Sequence, residues 1–126
     1  MEVLDNLKYT KNHEWVLIEG NMATIGITNH AQRELGDIVY LDIDTLSQEL
    51  SEDDVFGSVE AVKTVSDLFM PVSGKVVEFN NLLDSAPELV NQEPYNNGWI
   101  IKVEVNENQS VTNLLSPNEY REIIGL

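Results

Sequence analysis

Phe56-Gly57-Ser58-Val59-Glu60-Ala61-Val62-Lys63-Thr64-Val65-Ser66-Asp67-Leu68-Phe69-Met70-Pro71-Val72-Ser73-Gly74 is the stretch around which the other residues fall into place. Lys63 stands at its centre. Before it come Val55, Phe56, Val59 and Val62, and after it Thr64, Val65, Leu68, Phe69 and Val72, β-branched and aromatic types that suit a pleated backbone. That layout predicts two strands joined by a tight bend, with the lysine at the bend. Neither Asn-Gly nor Asp-Gly occurs there, so the expected connection is a type I turn through Val62-Lys63-Thr64, which accepts most residue types.

Most surface lysines are solvated charges. At an ordinary pKa of about 10.4 such an amine is almost wholly protonated at neutral pH and is a poor nucleophile. Two routes to chemistry remain, burial that lowers the pKa or covalent modification by another protein. A hairpin tip is not a buried place. Modification is left, and a protruding tip is a shape that a modifying enzyme can enter.

Glu60, Val62, Lys63, Ser66, Asp67, Pro71, Val72, Ser73, Gly74 and Val76 resemble the Glu-Ser-Val-Lys-Ala-x-Ser-Asp-(x)3-Pro-Val-Ser-Gly-x-Val pattern of the glycine cleavage system H protein family. Ala61 and Thr64 stand where that family more often has serine and alanine. Upstream, Tyr9-Thr10, His13-Glu14-Trp15, Ile25-Gly26-Ile27-Thr28, Ala31-Gln32 and Leu35-Gly36-Asp37-Ile38-Val39 look like its N-terminal signatures. Downstream, Pro87-Glu88-Leu89-Val90-Asn91, Pro94-Tyr95 and Gly98-Trp99-Ile100 are similar to its C-terminal half, in order and at its spacing. The resemblance spans about residues 7 to 123.

That resemblance implies a carrier and not an enzyme. It implies a lipoyl group in amide linkage on Lys63, and partners that load, unload and reoxidise it. Those partners are a pyridoxal-phosphate glycine decarboxylase, a tetrahydrofolate-dependent aminomethyltransferase and dihydrolipoamide dehydrogenase, with a lipoate ligase or lipoyltransferase attaching the group. Glu60, three residues before the lysine, is expected to be read by the attaching enzyme. An aminomethyl group held on sulfur carries an amine and decomposes in water, so a carrier gains from sheltering it, and a carboxylate pairs well with an ammonium. Glu14 and Asp67 are the acids expected in that shelter, with Asn12 and Thr28 as neutral partners; otherwise both acids are simply exposed.

Composition agrees with a carrier. The 126 residues lead to one expected domain, 1–126, able to bury roughly two-thirds of its unfolded surface. There is no cysteine, hence no disulfide and no thiol chemistry of its own. The 22 acids and 7 bases give a net charge of −15, which repels nucleic acid and anionic membranes and favours basic patches on partner proteins. The opening Met-Glu-Val-Leu-Asp lacks the basic and apolar regions of a signal or transit peptide, and no stretch reads as a membrane span. The expected location is the bacterial cytoplasm, or the mitochondrial matrix for a mature organellar form.

Alternating residues predict strands over Leu7 to Tyr9, Glu14 to Ile18, Met22 to Ile27, Asp37 to Ile43, Gly74 to Asn80 and Trp99 to Val105, beside the two of the hairpin. Thr28 or Asn29 offers an N-cap for a short helix ended by Gly36. Asn81 to Asp84 suits a helical turn stopped near Pro87. Ser116-Pro117-x-Glu119 opens a C-terminal helix running to Ile124. Many short strands with short helices predict a mainly β fold, a flattened barrel or sandwich of the hammerhead type shared by lipoyl and biotinyl carriers. The polar run from Asp44 to Asp54 departs from the family, which usually has proline and glycine where Asp44, Ser47 and Asp53 stand; Asp53 is expected to take a left-handed backbone.

Other chemistry is poorly supported. His13-Glu14-Trp15 lacks the second histidine of a zinc-protease motif, and two histidines without cysteine make no recognised metal set. No phosphate-binding glycine loop or nucleophile elbow occurs. Lys63 lacks the flanking methionines of biotin carriers, and Val62 replaces the aspartate usual in dehydrogenase lipoyl domains. A second carrier reading stays open, a relay that hands lipoyl or octanoyl groups to the lipoyl domains of 2-oxoacid dehydrogenases.

Overall fold

The computed structural model describes residues 2–106 and 113–126. Among these residues nine strands form two antiparallel sheets packed as a sandwich. They are β1 (Lys8–Tyr9), β2 (Glu14–Glu19), β3 (Met22–Ile27), β4 (Ile38–Asp42), β5 (Glu49–Leu50), β6 (Val55–Ala61), β7 (Val65–Phe69), β8 (Gly74–Phe79) and β9 (Ile101–Val105). The larger sheet has the order β1-β2-β3-β9-β8-β5 and the smaller β4-β6-β7. The described residues also form four short helices: α1 (Asn29–Leu35), α2 (Leu82–Ser85), α3 (Leu89–Gln92) and α4 (Pro117–Ile123).

Alternation fixes which side chains meet between the sheets. Ala23, Ile25 and Ile27 of β3, Phe56, Val59 and Ala61 of β6, Val76 of β8 and Ile101 and Val103 of β9 are all buried in one core. A second cluster gathers Leu7, Tyr9, Trp15 and Tyr120, and so docks α4 on the β1–β2 end. Trp15 packs as expected. Its indole N–H donates to the Pro94 carbonyl (2.9 Å), and Gly26 lies opposite it across the β2–β3 ladder.

Gly74 shows why one position must be small. A Cβ there would run into the Glu104 carbonyl oxygen and lie 2.6 Å from Val103 Cγ1, at the first rung of β8, which is paired with β5 on one side and β9 on the other. A backbone paired on both sides resists moving aside, so Gly74→Ala is expected to lower stability by about 2–3 kcal/mol, as overpacked core sites do. Denaturant melts of the two proteins would measure it, and an unchanged midpoint would contradict the crowding.

Helix ends follow their capping residues. Thr28 caps α1, its hydroxyl accepting from the Ala31 N–H, and Gly36 ends it at φ +81° and ψ −155°, a conformation essentially reserved for glycine. Ser116 and Glu119 form a reciprocal capping box on α4 with Pro117 in the first turn. Ser47 and Asp53 both have positive φ (73° and 72°), so the turns of the polar run keep a left-handed backbone without glycine.

At the lysine connection the Ala61 N–H donates to the Thr64 carbonyl (2.8 Å). The Val62 N–H reaches the Asp37 carbonyl (3.0 Å), just past the end of α1. Tertiary pairing with that segment sets the bend.

Candidate functional site

Lys63 is exposed at the tip between β6 and β7. It shares a surface hollow with His30, Arg33 and Glu34 of α1. Its stem passes over Gly36, where an added Cβ would come within 3.4 Å of Lys63 Cε. Asn91 of α3 anchors this corner: its amide NH2 donates to the Gly36 carbonyl (2.8 Å) and to Gln32 Oε1 (3.0 Å), and its oxygen accepts from the Ile38 N–H (3.0 Å). The amine is free to project while the backbone beneath it is tied at several points.

Beside this hollow lies a cleft of about 170 Å³, and Glu34 borders both. Its apolar lining comes from Ile27, Ala31, Leu35, Val59 and Leu68, and its polar lining from Asn12, His13, Glu14, Glu34, Ser66 and Asp67. Three of the four residues expected to shelter the amine, Asn12, Glu14 and Asp67, therefore meet here. Glu14 is 2% exposed, whereas Asn12 and Asp67 are exposed.

Thr28 does not line the cleft. Its hydroxyl caps α1 and lies 2.7 Å from the Tyr120 hydroxyl, buried behind the site. Holding the first turn of α1 uses the oxygen that was expected to face a ligand.

Glu14 is held by two donors. The Thr10 hydroxyl donates to Oε1 (2.8 Å) and the Phe69 N–H donates to Oε2 (3.1 Å). Burial still dominates and pushes its carboxyl up to about 7; the bonds from Phe69 and Thr10 pull the other way, and the charge of Asp53 adds slightly to the rise. Asp53 acts from a second cleft of about 290 Å³, lined by Thr10, Glu52, Asp53, Met70 and Pro71 among others, of which Glu14 is also a wall. His13, at φ +66°, has its Nδ1 2.8 Å from the Tyr120 hydroxyl and its ring 4.7 Å from that of His30. Burial first, and then His30, lower its pKa, so the cleft side of this pair favours neutral imidazole. Among the described residues no group of three or more His, Cys, Asp or Glu is arranged to hold a metal ion.

His13, Glu34 and the apolar lining were missed by sequence reasoning. His30 and Glu34 are one turn apart on α1, with His30 Nε2 3.5 Å from Glu34 Oε1, and that spacing was the available signal. Which side of α1 faces the hairpin depends on the Val62–Asp37 and Asn91 contacts, and no local pattern encodes those.

Glu60 sits elsewhere. It is exposed on the outer face of the smaller sheet, opposite Tyr40 on one side and Val65 on the other, and points away from the cleft.

A family model described as Glycine cleavage H-protein matches residues 7–125. The chain is 54% identical over 125 residues to the glycine cleavage system H protein of Staphylococcus haemolyticus, covering 99% of each. It is 52% identical, again over 99% of each, to that of Staphylococcus epidermidis. A crystal structure of a glycine cleavage system H protein from Mycobacterium marinum superposes with a TM-score of 0.90 at 34% identity, over 98% of this chain and 100% of that one.

Proposed function

Because the chain belongs to the glycine cleavage H-protein family, we propose that Lys63 is its lipoyl attachment point and that the cleft bordered by Glu14, Glu34 and Asp67 receives the arm. An H protein is the lipoyl carrier of the glycine cleavage system and not itself a catalyst. The lipoyl group supplies a redox-active disulfide that holds an aminomethyl group between partners. This chain's residues do the rest. The ties of Val62 to Asp37 and of Asn91 to Gly36 fix the base of the arm. The apolar side chains of the cleft suit a hydrocarbon chain, and its carboxylates suit a cationic end. A tethered group reaches each partner at high effective concentration, so weak docking is enough.

The single observation that carries the reading is this adjacency, a projecting lysine whose surface hollow shares Glu34 with an acid-rimmed apolar cleft. The partners follow from the family: the pyridoxal-phosphate decarboxylase, the folate-dependent aminomethyltransferase and a lipoate ligase or lipoyltransferase, with dihydrolipoamide dehydrogenase for reoxidation. The chain works as one carrier domain in the cytoplasm. Among the described residues no helix is long and apolar enough to cross a membrane.

Incubation with lipoate, ATP and a lipoate ligase, followed by intact mass and peptide mapping, tests the attachment point. One lipoyl group is expected, on the peptide containing Lys63. Modification at Lys8, Lys11, Lys75 or Lys102 in its place would overturn the assignment.

A further inference from the structure

Thr10 lies in the loop that joins β1 to β2 and lines the second cleft but not the first, with Glu14 as the wall that the two clefts share. The loop is wound around it. Its N–H donates to the Glu14 carbonyl (3.0 Å) and its carbonyl accepts from the His13 N–H (3.1 Å). Its hydroxyl oxygen accepts from the N–H groups of Asn12 (3.3 Å) and Glu14 (3.2 Å). A hydroxyl has two lone pairs and one hydrogen. Backbone N–H groups take both lone pairs, so the hydrogen can only be given, and it goes to Glu14 Oε1 at 2.8 Å. From β7 the Phe69 N–H holds the other carboxyl oxygen, Oε2, at 3.1 Å. One donor on each oxygen fixes the plane of the carboxyl and leaves each oxygen a further acceptor site.

We propose that Thr10 is a positioning residue for the acid of the carrier: by giving its only hydrogen to Oε1 it holds the Glu14 carboxyl in the aim and the charged form that an ammonium on the arm requires. The inference rests on the reading that the first cleft receives the loaded arm. Thr10 is not part of the wall of that cleft, so it acts through Glu14 and not by touching the arm. A hydroxyl free to rotate serves a carboxyl in either form, donating to the carboxylate or turning to accept from the acid. Thr10 cannot turn, because its hydrogen would then face one of the two N–H groups. It therefore favours the carboxylate and opposes the effect of burial, with the same sign as the Phe69 bond. The charges around Glu14 lean the other way. Glu52, Asp53 and Lys11 line the second cleft and Glu34, Asp67 and His13 the first, and burial, with His30, holds His13 toward its neutral form, so the balance is negative. Against burial and like charge, a donor that cannot reverse keeps a buried acid ready for a cation.

The test titrates the Glu14 carboxyl by carbon NMR in the protein before lipoylation, for wild type, Thr10→Val and Thr10→Ser. Valine keeps the shape and loses the hydrogen, whereas serine keeps the hydrogen and loses a methyl. The Glu14 midpoint should rise by about one pH unit or more in Thr10→Val, the size expected for losing a hydrogen bond to a charged group, and stay near wild type in Thr10→Ser. The same three proteins are then lipoylated, loaded from glycine by the decarboxylase and separated from it. Hydrolysis of the S–CH2–NH3+ group takes up one water and releases formaldehyde, ammonium and the free thiol. It should run about fivefold faster in Thr10→Val at pH 7, as the ionised fraction of Glu14 falls from about a half to about a tenth, and the ratio to wild type should narrow toward pH 9. Thr10→Ser should match wild type throughout. An unmoved Glu14 midpoint in Thr10→Val would overturn the proposal, as would a loss of protection equal at every pH, the mark of a loosened loop. Should Thr10→Val fail to fold, the wild type decides: the Thr10 hydroxyl proton should shift with the Glu14 midpoint, and a hydroxyl signal indifferent to that titration overturns the proposal. A Glu14→Gln protein whose loaded arm lasts as long as that of wild type would refute the reading of the cleft and this proposal with it. A shortened lifetime in Glu14→Gln beside an unaltered Thr10→Val would refute this proposal alone.

Discussion

In the Lys63→Arg protein, glycine cleavage by the reconstituted partners is expected to fall to background while the fold is untouched. Arginine keeps the positive charge and a similar stem, so the net charge stays at −15 and long-range attraction to partners is unchanged. It differs in one respect that matters. A guanidinium with a pKa above about 12 has no useful neutral fraction and cannot be acylated as the ε-amine can. The side chain is exposed and the hairpin is held by backbone bonds from Ala61 and Val62, so the substitution should change stability by no more than about 0.5 kcal/mol. The pair of measurements, exchange of glycine carboxyl carbon with bicarbonate and a thermal melt, separates a lost attachment point from a lost fold. Lys75→Arg on β8 is the matched control and should retain full activity. Residual activity in Lys63→Arg would mean that the arm is carried elsewhere.

Much of this arrangement could be read from residues alone, and the reasons differ by element. The hairpin strands were legible because β-branched and aromatic residues are dense on both sides of Lys63. The caps of α1 and α4 were legible because Thr28, Gly36 and the Ser116–Glu119 pair act within one turn. β5 and α3 were not anticipated. Leu50 becomes a strand residue only because Gly74 pairs with it, and α3 is a four-residue helix whose Asn91 finds its partners on the other side of the α1 end. Such elements are fixed by contacts distant in sequence, and they carry no period of their own. The same limit explains the site. Glu14, Asp67 and Asn12 were recoverable through resemblance, while Glu34 and His13 join them through the packing of α1 against the hairpin. Thr28 was misplaced because one hydroxyl has two possible uses and the helix took it.

Glu14→Gln is expected to remove a pH dependence that the wild type must show. Burial raises the Glu14 carboxyl from 4.5 to about 7 in the folded state, so below pH 4.5 the group is protonated in both folded and unfolded chains and adds no penalty. As pH rises from 4.5 to 7 the unfolded chain releases the proton first, and stability falls by about 1.4 kcal/mol per pH unit from this group, roughly 3 kcal/mol in all, before levelling above pH 7. Glutamine is neutral throughout. Its oxygen can still accept from the Phe69 N–H, while the Thr10 hydroxyl, whose oxygen already accepts from the Asn12 and Glu14 N–H groups, loses its Oε1 acceptor, a loss that does not vary with pH. The stability of Glu14→Gln relative to wild type should therefore climb by about 2–3 kcal/mol between pH 5 and pH 8, measured by denaturant melts at each pH. A difference that stays flat would mean that Glu14 ionises normally. A carboxylate so costly to ionise alone has a reason to be kept if a cation arrives to pair with it. An ammonium on the arm would draw the Glu14 pKa back down and recover part of that penalty, so the cleft should hold a cationic arm more firmly at pH 8 than at pH 6. Glutamine offers an ammonium no such charge. The loaded arm should therefore lose its protection from water in Glu14→Gln even as the protein itself becomes harder to unfold at pH 8, two opposite shifts that a merely structural glutamate would not produce together.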